Sequence, residues 1–198
     1  MNQEVMLVER ARQGEKTAFR ELVERYKKRI YYLCFDLTGN HHDAEDLSQE
    51  VFIKAYRSLA NFRGDAKFSS WLYRIAVNTC ISQSRKKSYA AMTLQENFEQ
   101  EASERRSSDE DSFGLNPEKS AEAGLMQQHI EAALQQLTPR ERSIFVLRHY
   151  HDLPLKEISE TLKITLGTVK SMHFRAMRRL RKELAFYRQE FGLEVSNE

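Results

Sequence analysis

The chain has 198 residues, enough for two small domains or for one of ordinary size. Glycine and proline are scarce, with 7 and 3 residues, and this composition favours long helices over strands joined by turns. The formal net charge is only +2, and no apolar run has the pattern of a signal peptide or a membrane span. We therefore expect an all-α protein that lies in the cytoplasm and does not insert into a membrane.

Four helices are predicted between positions 2 and 87. The first ends near Gly14, because glycine readily adopts the left-handed conformation that closes many helices. The second runs to about Thr38, where Gly39 and Asn40 end it. Apolar side chains recur along the second helix at spacings of three and four residues, which predicts one buried face. They are Phe19, Leu22, Val23, Tyr26, Ile30, Leu33 and Leu37.

The third helix is predicted over residues 43–59 and the fourth over residues 68–87. Between them, residues 61–67 break the apolar periodicity and contain Gly64 and Asp65, which favour a short loop. The third helix has an apolar face and a polar, partly acidic side. The apolar face carries Ala44, Leu47, Val51, Ala55 and Leu59, and the polar side carries Asp46, Gln49, Glu50, Lys54 and Arg57.

An acidic segment follows the fourth helix. Residues 88–118 are rich in serine, aspartate and glutamate and contain few large apolar side chains, too few to offset the entropy of ordering the backbone. Between positions 95 and 122, nine acidic residues are opposed by three basic ones. We therefore predict two small helical domains, residues 1–88 and 119–198, joined by a flexible acidic linker at residues 89–118.

The second domain has the pattern of a helix-turn-helix. Thr138, Pro139 and Glu141 form a capping box with proline at the first helical position, so a helix begins there. A short amphipathic helix with its entry covers residues 152–162, a turn covers 163–165, and a long basic helix starts at about Leu166. This order predicts a domain of the winged-helix-like superfamily. Apolar residues predicted to pack inward along the long helix are Val169, Met172, Ala176, Met177, Leu180 and Leu184.

The long basic helix is the strongest candidate for a DNA contact. Between positions 163 and 188, eight basic residues are opposed by one acidic residue, a density typical of a phosphate-facing surface. A major groove admits one α-helix, whose first turns meet base edges while flanking cations meet phosphates. A solvated basic helix of a bundle is the alternative, but the preceding helix-turn pattern favours DNA. The candidates for base contacts are Lys170, Ser171, His173, Phe174 and Arg175.

Aromatic and basic residues are interleaved around the predicted loop of the first domain. Aromatic rings beside cations suit unstacked, single-stranded bases. The same aromatic positions also fit a buried helical face, and from the residues alone core packing is the better interpretation. The aromatic residues are Phe62, Phe68, Trp71 and Tyr73, next to Lys67 and Arg74, and a polar stripe of Arg74, Asn78, Ser82 and Arg85 keeps the single-strand interpretation open.

The sequence contains no pattern typical of catalysis or metal binding. Cys34 and Cys80 lie in apolar helical surroundings, which predicts buried free thiols. The histidine pairs at 41 and 42 and at 149 and 151 are not accompanied by cysteines or carboxylates at ligand spacing. We expect no catalytic residue, no metal and no cofactor.

Four segments match the pattern of one family in order and approximate spacing. They are Asp-Leu-Ser-Gln-Glu-Val-Phe-Ile-Lys-Ala-Tyr at 46–56, Phe-Arg-Gly-Asp at 62–65, Trp-Leu-Tyr-Arg-Ile-Ala-Val-Asn at 71–78 and Gly-Thr-Val-Lys-Ser at 167–171. Together they resemble the extracytoplasmic-function sigma factors of the sigma-70 family, the two-domain initiation subunits of bacterial RNA polymerase. The resemblance covers nearly the whole chain except the linker.

The resemblance implies a protein that directs core RNA polymerase to promoters and has no active site of its own. It implies contacts with the largest and second-largest polymerase subunits, with the exposed side of the third helix docked on the clamp helices of the largest one. It also implies an inhibitory anti-sigma protein as a partner, often tethered to the membrane. The core-binding residues implied are Asp46, Gln49, Glu50, Phe52 and Lys54.

The resemblance assigns the minus 10 promoter element to the first domain and the minus 35 element to the second. Around the loop, a flipped base of the non-template strand would be captured, with Phe62 and Trp71 assisting strand separation; this needs binding energy but no bond chemistry. The long helix would read duplex DNA, with Arg178 and Arg179 holding phosphates. The minus 10 residues implied are Asn61, Phe62, Arg63, Gly64, Asp65, Lys67, Trp71, Arg74, Ile75, Asn78 and Ser82.

Two other classes of protein fit parts of the sequence. A two-domain transcriptional regulator would sense a signal or dimerise through its first half, and it would bind DNA tightly without polymerase. A sigma factor is expected to bind DNA weakly alone and to initiate transcription only with core enzyme. An enzyme is the weakest interpretation, because the sequence shows no phosphate loop, metal cluster or arrangement of nucleophile and base.

Overall fold

The computed structural model describes residues 3–95 and 117–190, and every regular element in these two ranges is helical. This confirms the all-α prediction. The first range contains α1 (Gln3–Arg12), α2 (Lys16–Thr38), α3 (His41–Ser58), a short 3-10 helix (Leu59–Asn61) and α4 (Phe68–Gln95). The second contains α5 (Pro117–Gln135), α6 (Pro139–His149), α7 (Leu155–Leu162), α8 (Leu166–Glu183) and α9 (Ala185–Glu190).

Local signals set the corner between α2 and α3. Gly39 has a φ of 67°, and its backbone N–H donates to the carbonyl oxygen of Phe35 at 2.7 Å, which closes α2 as predicted. Asn40 then caps the next helix, because its Oδ1 accepts from the backbone N–H of Asp43 at 2.9 Å. The cap makes α3 begin at His41, two residues before the predicted start. All five predicted apolar positions of α3 and its end are buried.

The fourth helix is longer than predicted. It continues to Gln95, past the predicted end at about Lys87, because Ala90, Met92 and Leu94 are good helix formers that continue it. In the second described range α5 begins at Pro117, two residues before position 119, where we predict the second domain to start. Most of the predicted flexible linker at 89–118 lies outside the described residues, and its first seven positions, 89–95, belong to α4.

The helix-turn-helix prediction is confirmed in detail. Thr138 and Glu141 form the capping box at the start of α6, with Pro139 in the first turn. Lys163 closes α7 in the left-handed conformation, with a φ of 55°. Thr165 caps α8, its Oγ1 accepting from the backbone N–H of Thr168 at 3.2 Å. The predicted inward positions of α8 are buried at Val169, Ala176 and Leu180 and partly buried at Met172, Met177 and Leu184.

The two domains pack against each other. Buried residues of α6, α7 and α8, such as Leu147, Ile158 and Val169, belong to the same apolar cluster as the core of the first domain. Polar contacts reinforce this packing. His151 Nε2 lies 3.1 Å from Asp36 Oδ2, and the further contacts are Lys67 Nζ to Glu157 Oε1 at 3.3 Å and Gln135 Nε2 to the carbonyl oxygen of Thr38 at 3.2 Å.

The two cysteines of the chain, Cys34 and Cys80, are free and buried, as predicted. The hydrogen bond with Cys80 raises the pKa of the Cys34 thiol most, and burial raises it further. The thiol is therefore a poor nucleophile.

Among the described helices, none combines the length and apolar character needed to cross a membrane. The described side chains also include no group of three or more potential metal ligands.

Candidate nucleic-acid interface

The outer face of α8 carries most of the residues predicted to read duplex DNA. The helix buries Val169 and Ala176 completely on one side, which turns the opposite side to solvent. Phe174 is 67% exposed although it is a large apolar ring, so it is free to contact another molecule. The exposed set on this face, here called the α8 face, consists of Lys170, Ser171, Phe174, Arg175, Arg178 and Arg179.

His173 is the one predicted DNA-reading residue of α8 that is partly buried rather than exposed. Its Nε2 atom is 3.0 Å from Nε2 of His149 in α6, and the two rings are stacked with centroids 5.2 Å apart. Phe145 also packs against His149, with ring centroids 4.6 Å apart. Burial lowers the pKa of both histidines, and the charge of Arg148 lowers it further. In this arrangement His173 connects α6 to α8 through its ring.

A buried carboxylate of α6 lies beneath the α8 face. Oε1 of Glu141 accepts from Nε of Arg175 at 3.1 Å, and Oε2 accepts from Nη1 of Arg179 at 3.1 Å and from Oγ1 of Thr138 at 2.8 Å. The Glu141 side chain is only 5% exposed, against 56% for Arg175 and 48% for Arg179. Burial acts to raise the pKa of Glu141, but the Thr138 hydrogen bonds and the two guanidinium charges outweigh it, so the net shift is downward.

The sequence located Glu141 but missed its contact with α8. The capping box predicts the carboxylate at the third helical position, where it folds back on Thr138. Nothing in a capping box predicts that two arginines 34 and 38 residues later meet the same carboxylate. One signal in the sequence was available: a capping box uses a single carboxylate oxygen of Glu141, and the second oxygen could pair with an arginine of the basic helix that follows.

The aromatic cluster of the first domain belongs to its core. Phe62 is 7% exposed and Trp71 is 9% exposed, and their ring centroids are 5.1 Å apart. Phe68 completes the cluster, with its ring 5.4 Å from Trp71. These rings pack against one another and are little exposed to solvent. This agrees with the interpretation of these residues as core packing, which the sequence favoured.

The loop around these rings is exposed and forms an open concave surface. Gly64 has a φ of 78°, a conformation that favours glycine at this turn. Arg74 of α4 and Lys163 of the second domain also line the concavity. Along α4, Asn78 and Ser82 are exposed and Ile75 is partly buried. The exposed members of the loop are Asn61, Arg63, Gly64, Asp65, Ala66 and Lys67.

Four of the predicted core-binding residues lie on the solvent side of α3, whereas the fifth, Phe52, packs against the apolar core. Asp46, Gln49 and Lys54 are exposed, and Glu50 and Phe52 are partly buried. Glu50 pairs with Lys54, Oε1 to Nζ at 2.8 Å, one turn along the helix. The same Nζ donates to Oγ1 of Thr79 in α4 at 3.1 Å. Lys54 therefore connects this side of α3 to the helix that carries the polar stripe.

Two protein-family models match the chain. Sigma-70 region 2 matches residues 22–89, and sigma-70 region 4 matches residues 133–182. The first range spans α2 from Leu22 onward, all of α3, the exposed loop and the polar stripe of α4. The second spans the helix-turn-helix and the whole α8 face. Each matched range thus contains a different one of the two predicted DNA-contacting surfaces.

Known sigma factors are similar to this chain over nearly its full length. The ECF RNA polymerase sigma factor SigW of Bacillus subtilis is 37% identical over 184 residues, which cover 91% of this chain and 98% of SigW. The RNA polymerase sigma-H factor of Pseudomonas aeruginosa is 36% identical over 192 residues, 92% of this chain and 94% of that factor. The chain therefore belongs to the extracytoplasmic-function sigma factors of the sigma-70 family. It is a promoter-recognising transcription initiation factor and not an enzyme.

Two solved structures share the fold. The structure of CnrH in complex with the cytosolic domain of CnrY has a TM-score of 0.64 at 22% identity, and the match covers 91% of this chain and 96% of CnrH. The sigma factor RpoE in complex with the anti-sigma factor NepR from Bartonella quintana has a TM-score of 0.61 at 22% identity, covering 84% and 96%. At this level of identity the two matches establish the fold.

Proposed function

We propose that the chain binds core RNA polymerase through the solvent side of α3 and reads two promoter elements with its two domains. The observation that carries the proposal is the α8 face, where six exposed side chains lie opposite the buried side of one helix. In a helix-turn-helix this is the helix that enters the major groove. In this proposal the α8 face reads the minus 35 element as duplex DNA.

The first domain takes the minus 10 element in this proposal. The exposed loop offers a concave surface for an extruded base, and the cations Arg63 and Arg74 can contact the phosphate backbone of the DNA strand that carries this base. Asn78 and Ser82 add hydrogen-bonding groups along α4. Phe62 and Trp71 are buried in the free chain, so they support the loop from beneath, and any role in strand separation requires their side chains to move. Captured bases stabilise the open duplex without a catalytic residue.

The proposal is tested by run-off transcription with purified core enzyme on fragmented genomic DNA. A specific transcript is expected when both the chain and the core enzyme are present, and weak DNA binding is expected for the chain alone. Tight, sequence-specific binding by the chain alone, with no specific transcript when core enzyme is added, would favour an operator-binding regulator instead.

Reversing one charge on the solvent side of α3 is expected to weaken core binding. Glu50→Lys removes the Glu50 to Lys54 ion pair and places two cations side by side in the proposed interface. We expect at least a roughly tenfold weaker affinity, about 1.4 kcal/mol, in a titration of labelled chain with core enzyme. The matched control is Glu45→Lys, an equal charge change on an exposed position of α3 outside the proposed set. Equal affinities for the two folded variants would argue against this docking face.

Two arginines of the α8 face are expected to differ in their effect on promoter choice. Arg175→Ala should lose about 1 to 3 kcal/mol on promoters that carry its preferred base and little on the others, because it contacts a base edge. Arg179→Ala should weaken all sequences alike, because it contacts phosphates. Holoenzyme affinities across a set of minus 35 variants give both profiles. Identical profiles for the two variants would contradict the division.

An anti-sigma protein is the second partner in this proposal. RpoE of Bartonella quintana, which shares the fold, is described in complex with the anti-sigma factor NepR, and CnrH is described in complex with the cytosolic domain of CnrY. For this chain we propose an inhibitor of the same kind, tethered to the membrane, that holds the sigma factor in the cytoplasm away from core enzyme. Addition of its purified cytosolic part to the run-off reaction should abolish the specific transcript.

A further inference from the structure

The two arginines of the α8 face that meet Glu141 keep part of their hydrogen-bonding capacity. Arg175 gives only its Nε to the carboxylate, so its two terminal nitrogens remain for a ligand. Those two nitrogens form the fork that pairs with O6 and N7 of guanine in the major groove. Arg179 gives one terminal nitrogen to the other carboxylate oxygen, and its remaining N–H groups stay available.

The carboxylate is built into the domain more firmly than a helix cap requires. Oε2 alone accepts from the backbone N–H of Thr138 at 3.3 Å and from its hydroxyl at 2.8 Å, which satisfies the capping box. Oε1 is left for Arg175. The side chain of Glu141 is 5% exposed and belongs to the first turn of α6, a helix with a completely buried core side. Glu141 therefore has a fixed position, next to which the longer and more exposed side chains of Arg175 and Arg179 are held.

An anchored arginine binds differently from a free one. A long side chain loses rotamer freedom when it binds DNA, and it loses less if its orientation is already fixed. The fixed orientation also favours one base, because a guanidinium fork meets guanine only in a narrow range of angles. The buried negative charge is offset by two adjacent guanidinium groups, so the α8 face stays cationic.

We propose that Glu141 is a positioning residue for promoter recognition: it orients Arg175 towards one base of the minus 35 element and Arg179 towards the neighbouring phosphate. This inference rests on the proposed reading of that element by α8. Glu141 itself lies beneath the helix and contacts no DNA. Its role is to fix which base Arg175 selects, and a loss of its charge should therefore appear as a loss of discrimination.

The test uses holoenzyme and the variant Glu141→Gln. The amide keeps the size of the side chain and its hydrogen bonds to Thr138, but it loses the charge that holds both arginines. Holoenzyme affinity is measured for promoters that differ in one minus 35 base pair at a time. We expect discrimination to fall by at least about fivefold at the position that Arg175→Ala also affects, and to be unchanged elsewhere. Combining the two substitutions should give no further loss at that position.

The control is Thr138→Ala, which removes one hydroxyl from the same helix cap but leaves the charge of Glu141, its bond from the backbone N–H of residue 138 and its contacts with both arginines. It is expected to lower thermal stability and to leave discrimination intact. If Glu141→Gln weakens binding equally on all promoters, or behaves like Thr138→Ala, Glu141 only caps the helix and the inference is wrong. If the wild-type holoenzyme shows no base preference in the minus 35 element, the proposed function itself is wrong, and the inference with it.

Discussion

Arg142→Met is expected to lower the free energy of unfolding by about 3 kcal/mol or more, because it removes several charged hydrogen bonds at once. The guanidinium donates to the carbonyl oxygens of Leu134 at 2.8 Å and Gln135 at 2.9 Å, at the end of α5, and of Leu137 at 3.4 Å, in the turn that follows. It also donates to the carbonyl oxygen of Leu37 at 2.9 Å, at the end of α2. One side chain therefore caps a helix of each domain.

The size of this effect follows from where the carbonyl groups lie. The last carbonyl groups of a helix have no partner within it, and the helix dipole makes this end negative. Burial of Arg142 lowers its pKa, yet it remains a cation at neutral pH. Methionine fills much of the same volume but donates nothing, so the carbonyl groups stay buried without partners. Leaving each buried group unsatisfied contributes about 1 to 3 kcal/mol.

Denaturation of the full chain in urea measures the loss. Arg140→Met is the matched control, because Arg140 is exposed and lies two residues earlier in the same helix. Its effect is expected to stay within about 0.5 kcal/mol. If both variants are equally stable, the hydrogen bonds of Arg142 contribute nothing net, and the two helix ends are held by apolar packing alone.

Arg142 and Glu141 show what the sequence could and could not predict. The helix ends at Gly39 and Thr138 were predictable because each depends on residues within four positions. The exposed side of α8 followed from apolar periodicity. By contrast, Arg142 meets Leu37 across 105 positions and Glu141 meets Arg175 across 34. Neither distance leaves a local signal, so both contacts required the tertiary structure.

The aromatic cluster illustrates a different limit. Periodicity places Phe62, Phe68 and Trp71 near one another, but it does not distinguish rings that pack in a core from rings that stack on bases. Both uses need the same residues at the same spacing. The structure shows them buried against each other, and the polar stripe beside them exposed. The packing of the two domains could not be predicted either. Each domain is a complete helical unit, and the sequence does not show which of its surface residues contact the other domain.

That packing leads to the last expected result, a large separation of the two domains on promoter binding. Buried residues of both domains form one cluster, and helical domains of this size have a radius of gyration of about 12 Å. Two such domains in contact have centres about 30 Å apart. The positions after which the two elements are named, minus 10 and minus 35, differ by about 25 base pairs, which is about 85 Å of duplex at about 3.4 Å per base pair. The packed arrangement therefore cannot reach both elements.

The covalent chain permits the required movement. Residues 96–116 connect α4 to α5, and 21 residues span at most about 70 Å when fully extended. Added to the dimensions of the two domains, this length reaches both promoter elements. The contacts that must break include the pair of His151 with Asp36 and the pair of Lys67 with Glu157. The free energy of binding to polymerase and to DNA has to exceed that of this packing.

Energy transfer between dyes placed at Glu45 in α3 and Arg181 in α8, both exposed, measures the separation in the free chain, in holoenzyme and on promoter DNA. We expect an increase of about 40 Å or more between the free chain and the promoter complex. A second pair at Glu45 and Lys16, both in the first domain, should report no change. If the first pair keeps its separation while specific transcripts are made, the packed arrangement is itself the active one, and the assignment of one promoter element to each domain fails.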